Sequence, residues 1–586
     1  MAKREDLESR IHAELADREK VGRQVLVTRI LEGDELGPLE ELFFFTDPSA
    51  FVGLCTDTLR SLEGVTSSSS DDARERVIRF AADLCIWARS YVPEWRLRGE
   101  VDGNSALHKD QLEELAVGGC ALASKLSLAA IGPGERVVAG WRKDTVARLA
   151  AESIADPQAG ADALVGDRVD TYVTNMSAAL AGSNVRRIAE MRARGESPTD
   201  IGNDYAAFLD YAMLVGASFV TCNPPLVDMA WVADPERWDP VVDRIVRENQ
   251  GATSATLATK VTLEIVLANM RRLRPVFLVT AGRTGYVSLQ VNPKNHDNAT
   301  AMSREAEGIY ADLEKRLGGG VPNVVFKLPA TSAGLAACRA LTRQGIGVNI
   351  TVNFGMFQHM KFAEAIREGE ALVSAITHMS GRLAFPVRDE LLGKSDQLVR
   401  KGIDELQARE AAAWSGVAVL KRLQGLMTKR DYDFGRVKPL VASLRVYEGD
   451  AYKGLPTGVP DISEVIGTGI ITIFPNVRHA FDALPAIVLS PRKVENPVPD
   501  RVLEILGNSE IFKQAFHVGA PDWLEGEDDR FRPDRVLRLD DDAAVIEWLP
   551  VKNTIAEFCR SYDAFVQRIE TRREVLGGPS DLLAGR

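Results

Sequence analysis

Apolar and polar positions alternate in two different textures along the chain. Over residues 1 to about 165 the apolar positions recur at helical spacing: in RERVIRFAADLCIWARSYV, Val77, Phe80, Ala81 and Leu84 fall at i, i+3, i+4 and i+7. This predicts an all-helical N-terminal extension. Ser67–Ser70 with Asp71 and Asp72, placed just before that run, read as a loop leading into a helix N-terminus. From about residue 170 the texture changes to short β-rich runs separated by helical stretches. Strands are predicted at 171–175 (TYVTN), 218–223 (SFVTCN), 286–291 (YVSLQV), 323–328 (NVVFKL), 347–354 (GVNITVNF), 382–387 (RLAFPV), 439–445 (PLVASLR) and 470–475 (IITIFP). Strands alternating with helices imply right-handed parallel crossovers, and eight such units close into a (β/α)8 TIM barrel.

The expected organisation is therefore an α/β chain in three parts. Residues 1–165 form the helical extension, 166–489 the barrel, and 490–586 a mostly helical segment that packs on the barrel and ends in NTIAEFCRSYDAFVQRIETRREVL. Connections 176–217 and 388–438 are longer than a minimal barrel needs, so extra helices are expected to cover the barrel mouth or form a contact between copies. The extension has three roles open to it: shielding the mouth, binding a partner, or making a homodimer interface.

Composition narrows the chemistry. A hydrophobic content of 45% with 26% charged residues is that of an ordinary globular chain, and 586 residues suffice for two or three units of roughly 100–250 residues each. The net charge of −12, with no stripe of Lys and Arg, argues against a nucleic-acid partner. The N-terminus has no apolar signal region and no run approaches the roughly 20 residues that span a bilayer, so no membrane partner is expected and the location is expected to be cytoplasmic. Cys55, Cys85, Cys120, Cys222, Cys338 and Cys559 are scattered without metal-ligand spacing, and no phosphate-binding glycine loop occurs. Neither a metal nor an organic cofactor is expected.

In such a barrel the site lies at the C-terminal ends of the strands. Lys327 interrupts VVF-K-LP, an otherwise apolar, β-branched run, and burial there would favour its neutral amine, which attacks carbonyls to form a Schiff base. Asn223 ends the second run, Gln290 lies in the third, Asn349 and Thr351 in the fifth, and Ser443 and Arg445 in the seventh. Polar groups inside several barrel strands are costly unless they converge on one task or satisfy one another.

These residues also carry a resemblance. NVVFKLPATSAGLAACRALTRQGIGVNITVNFGMFQ resembles the Lys-x-Pro-Ala-Thr strand end of the transaldolase family, with its following helix, its Gly-Ile-x-Val-Asn-x-Thr segment and its downstream Gln. TCNPPLV, GYVSLQVNP, VASLR and ITIFPNV resemble four further family segments, in the same order, over roughly residues 217–480. The resemblance implies a class I aldolase barrel in which Lys327 is the Schiff-base former. Asn223 and Asn349 would hydrogen-bond the ketose hydroxyls, and Thr351 would hold a catalytic water. Ser443 and Arg445 would hold the substrate phosphate, with Arg388 as a third member unless it merely pairs with Asp389 or Glu390. The implied reaction is transfer of a three-carbon dihydroxyacetone unit between sugar phosphates, as in the pentose phosphate pathway.

Two departures from the family pattern bear on proton transfer. Gln290 stands where most transaldolases have Glu, and TYVTN offers only Thr174 and Asn175 where they have a strand-end Asp. An amide is no general base at neutral pH. Relatives acting as fructose 6-phosphate aldolases share the Gln, but keep the Asp and place a Tyr where this chain has Phe385. Asp204 and Asp210, expected in a helix before the second strand, are the candidate substitutes. Release of the three-carbon unit by a lyase, and a sugar-phosphate-binding barrel without turnover, are the alternative readings.

Overall fold

The structure is a computed structural model that describes residues 3–18, 20–66, 69–90, 109–485, 487–519 and 529–577. Its centre is a closed parallel barrel of eight strands in sequence order. The strands are β1 (Asp200–Asn203), β2 (Ala217–Cys222), β3 (Tyr286–Gln290), β4 (Val324–Pro329), β5 (Gly347–Thr351), β6 (Ser374–Met379), β7 (Val437–Ala442) and β8 (Ile470–Ile473). β1 closes the ring against β8, with Asp200 opposite Ile470 and Asn203 opposite Ile473.

Two predicted strands are helices. TYVTN lies inside the helix Val169–Gly182, whose buried Val169, Tyr172, Val173, Met176 and Leu180 keep helical spacing. RLAFPV lies inside Ser380–Gly393, which buries Leu383, Ala384, Val387 and Leu391 and carries Pro386 within it. The real first and sixth strands are DIGN and SAITHM. The barrel therefore starts at Asp200, behind two helices, Val169–Gly182 and Asn184–Ala193.

Strand parity separates the apolar core into two clusters. Val324, Phe326 and Leu328 of β4 face the surrounding helices, whereas Val325 belongs to a small interior cluster with Phe219, Tyr286, Leu440 and Ile470. Leu7 and Ile11, from the first helix Arg4–Ala16, complete that interior cluster. The interior members lie toward the strand starts, so the N-terminal helix closes the bottom of the barrel. The opposite end is roofed by the C-terminal helix Leu549–Val575, whose Ile555 and Phe558 line the cavity above Lys327. Of the roles open to the extension, shielding the mouth thus belongs to the other terminus.

The rest of the extension is a helical bundle, with Asp71–Ser90 packed along Lys109–Ala129. Ser67 and Ser68 lie outside the described residues, but the Ser70 hydroxyl accepts from the Ala73 amide at 3.3 Å, as a cap for Asp71–Ser90 should. Among the described residues no helix is long and apolar enough to cross a membrane.

Candidate active site

Register sets the site. Gln290 pairs with Lys327, Lys327 with Asn349, and Pro329 with Thr351, so three neighbouring strands present these side chains into the barrel near their C-terminal ends. One layer below, the Asn349 amide donates to Ser288 Oγ at 2.9 Å and its carbonyl oxygen accepts from Thr377 Oγ1 at 2.5 Å. That chain of polar contacts uses both ends of the Asn349 amide and fixes its orientation.

Lys327 is 7% exposed, and among the described residues its side-chain amine has neither a hydrogen bond nor an ion pair. Burial holds its amine below the usual lysine range, with Asp204 the strongest charge acting the other way and Arg382 pushing in the same direction as burial. Lys327, Gln290, Thr351 and His296 line one cavity under the C-terminal helix. Gln290 is shared with an adjoining cavity that also contains Asn223. The Gln290 Oε1 and His296 Nδ1 atoms are buried without partners, which leaves one acceptor and one ring nitrogen for a ligand or water in that cavity. Asn223 caps the helix Pro224–Ala233 by accepting from the Leu226 amide at 2.9 Å, so its NH2 group remains for substrate. Thr351 Oγ1 lies 3.7 Å from Met379 Sδ at the end of β6.

The candidate proton carriers separate cleanly. Asp204 directly follows β1, its amide donates to the Ile473 carbonyl of β8, and its carboxylate accepts a short hydrogen bond from Thr221 Oγ1 of β2. It stands at a strand end, not in a helix. Asp210 sits in Leu209–Leu214 and is bound to Arg272. Asp204 is thus the carboxylate at the mouth of the first strand, the position that TYVTN could not supply; Thr174 and Asn175 are in a helix of the extension.

The candidate anion-binding side is built from the ends of β6 and β7. Ser443 follows β7 with φ 57°, a left-handed conformation unusual for serine, and its carbonyl accepts from Gly381 N at 3.1 Å. A Cβ on Gly381 would come within 2.4 Å of that carbonyl, so Ser-Gly-Arg at the start of Ser380–Gly393 requires glycine in the middle. Buried Asp461 holds both segments: it accepts from the Arg445 amide at 3.0 Å and from Ser380 Oγ. Among the described residues the Arg445 guanidinium bonds only the Ser443 and Leu444 carbonyls, at 3.2 and 3.1 Å. Burial lowers its affinity for protons, and Arg382 lowers it further. Arg382, which acts on both Lys327 and Arg445, is the second cation at this end; reading 382–387 as a strand concealed it. Arg388 pairs with exposed Asp389 at 2.8 Å, the surface ion pair that its neighbours had suggested. Phe385 is 37% exposed and lies between two guanidinium groups, with Arg388 Cζ 4.7 Å and Arg445 Cζ 5.3 Å from its ring.

Comparison with known proteins matches residues 206–499 to the family described as Transaldolase/Fructose-6-phosphate aldolase. The chain is 30% identical over 198 residues to a transaldolase of Neisseria meningitidis serogroup C, covering 30% of this chain and 53% of the relative. It is 29% identical over 202 residues to transaldolase 1 of Streptomyces avermitilis, covering 34% and 50%, and 27% identical over 154 residues to a transaldolase of Campylobacter jejuni, covering 26% and 43%. The chain spans about half the length of the curated relatives it matches. Asp204 falls just ahead of the matched range and the C-terminal helix lies beyond it. With a matching model over half its length, a closed eight-stranded barrel and a buried lysine at the end of β4, the chain belongs to the transaldolase/fructose-6-phosphate aldolase family.

Proposed function

We propose that this chain is a transaldolase-type transferase that moves a dihydroxyacetone unit between sugar phosphates through a Schiff base on Lys327. The observation that carries the reading is a buried lysine without an ion-pair partner, flanked in register by Gln290 and Asn349. Desolvation raises the fraction of free amine, which adds to the ketose carbonyl; loss of water gives the iminium. The hydroxyl beside the scissile bond gives its proton to Asp204, the aldehyde leaves, and the bond's electrons settle in the enamine. Addition of the enamine to an acceptor aldehyde, with the proton returned, and hydrolysis of the iminium complete the cycle. The iminium is the electron sink, so the proposed steps use no metal or organic cofactor.

Asn223 and Gln290 supply amides for substrate hydroxyls, Asn349 has only its second N–H left to add to them, and Thr351 holds the water that forms and hydrolyses the iminium. Ser443, Arg445 and Arg382 receive the phosphate, an arrangement suited to an oxyanion because a guanidinium presents paired N–H donors. We place the reaction in cytoplasmic carbohydrate metabolism of the pentose phosphate type. Borohydride reduction with fructose 6-phosphate or dihydroxyacetone, followed by intact-mass measurement, tests the reading. A three-carbon adduct is expected on the natural chain and not on Lys327→Met, and its absence from both would overturn the Schiff base. Erythrose 4-phosphate added before the reductant should carry the bound unit off as seven-carbon product and leave no adduct; release of free three-carbon product from fructose 6-phosphate without an acceptor would instead make the enzyme a lyase.

A further inference from the structure

The C-terminal helix brings its own anion to the phosphate side of the mouth. Glu557, on the turn next to Phe558, meets Arg382 in a two-point pair: Nη2 donates to Oε1 at 2.6 Å and Nη1 donates to Oε2 in a shorter bond. Such a forked guanidinium–carboxylate pair occupies the N–H donors that would otherwise clasp two phosphate oxygens. Arg382 Nε is buried without a partner, so the guanidinium has no other acceptor among the described residues. Among the described residues the guanidinium of Arg445, beside it, makes no ion pair; buried Asp461, which holds the Arg445 amide, acts on it more strongly than Glu557 does.

Around this pair the helix lies directly on the site. Ile555 and Phe558 line the Lys327 cavity, while Tyr562 and Phe565 line the adjoining one that contains Asn223 and Gln290. Farther along, Arg568 pairs with Asp228 and Arg572 with Asp243, tying the second half of the helix to the helices after β2. The half nearest the phosphate side is thus held partly through Glu557, whose side chain is 46% exposed, and the other half by separate anchors.

We propose that Glu557 is a specificity-determining residue that fills the anion subsite of Arg382 and Arg445 as an internal competitor, so that a substrate seats its phosphate there only by displacing the carboxylate. The proposal rests on the Schiff-base reading for its catalytic meaning, but the subsite itself is defined by the two arginines. A dianionic phosphate outcompetes one carboxylate on charge but gives up part of its binding energy to the displacement, whereas a neutral sugar leaves the pair intact; Glu557 thereby lowers the affinity for phosphorylated ketoses and leaves that for unphosphorylated ones unmoved.

Glu557→Gln keeps the shape and removes the charge. Inorganic phosphate should then inhibit, or protect against heat, at a concentration roughly fivefold lower than in the natural chain, as expected for loss of a half-exposed ion pair. The KM of fructose 6-phosphate should fall relative to that of dihydroxyacetone, with the ratio of their kcat values unmoved. Unchanged phosphate affinity together with an unchanged KM ratio would overturn the proposal and leave Glu557 a structural anchor. If the variant misfolds, hydrogen exchange on the natural chain decides: saturating inorganic phosphate should speed exchange over residues 549–560, and unchanged or slower exchange there counts against displacement. Dihydroxyacetone trapping on Lys327 needs no phosphate, so its failure would sink the Schiff-base reading while leaving the phosphate result to speak for the subsite alone.

Discussion

A lysine stripped of partners in a barrel interior is a liability to folding before it is an asset to chemistry. The unfolded chain binds a proton at Lys327 up to the ordinary lysine pKa, while burial lowers the folded value. Between those two values the unfolded state holds more protons, so stability rises with pH across that window. Lys327→Met should therefore abolish trapping and also raise the melting temperature at neutral pH, by roughly 2 °C or more. The gain should shrink as pH climbs toward about 10.4, and thermal melts across pH would show it. Asp204 gives the complementary prediction. Asp204→Asn keeps an acceptor for Thr221 but removes the proposed base, so kcat should fall roughly 10²- to 10⁴-fold with little change in KM. A drop confined to KM would reduce Asp204 to a substrate-positioning group. Lys327 was legible because a lone charge inside an apolar strand violates a strong rule, whereas Asp204 was one of two candidates assigned to a helix and Arg382 was missed, both through errors one level up: each follows the end of a strand that had been placed elsewhere.

Those errors have a common physical cause. β1 is four residues, Asp-Ile-Gly-Asn, with Asp200 in a buried pair with Lys438 of β7, so its inward face shows no hydrophobic signal. β6 likewise spends its inward Thr377 on the Asn349 amide and its outward His378 on His359, 3.1 Å away. Polar satisfaction inside the barrel had replaced the apolar alternation by which a strand is recognised. TYVTN and RLAFPV, conversely, have strand composition but lie in longer helical patterns that only a wider window reveals. The six other strands were placed within a few residues because their outward faces are largely apolar against the helices, as with Val324, Phe326 and Leu328 of β4 and Val348 and Ile350 of β5. The barrel bottom depends on an element whose low apolar content gave no hint of its task. Ile11 and Leu7 are the buried residues of Arg4–Ala16, and Ile11 touches the space over Gly282, where a Cβ would sit 2.9 Å from its Cδ1. Ile11→Ala should cost about 2–4 kcal/mol in denaturant unfolding while leaving Lys327 trapping intact, since the bottom plug and the site lie at opposite ends of the strands. Loss of trapping in a folded variant would contradict that separation.

At the scale of the whole chain, the extension and barrel share one apolar cluster that runs from Leu26 to Ile569. Polar bolts reinforce the seam. Arg186, 5% exposed, donates to the Ser90 and Arg89 carbonyls of the extension and to the Leu214 carbonyl before β2. Arg148 of the extension and Arg478 of the helix after β8 both donate to one oxygen of Glu152, each at 2.7 Å, with all three side chains buried. A shared core with buried ion networks couples the units, so calorimetry of the natural chain should show a single unfolding transition despite its length. Glu152→Ala would leave two buried guanidinium groups facing each other without their carboxylate, which costs about 3–5 kcal/mol where a buried pair is broken on one side. That loss falls partly on the seam, through Arg478, and partly inside the extension, through Arg148. The expected result is an earlier transition for the helical extension, separated from a barrel transition that moves less, with Lys327 trapping retained between the two temperatures. If Glu152→Ala instead lowers one undivided transition, the extension and barrel fold as a unit whose cohesion comes from the apolar cluster, and the ion network only adds to it.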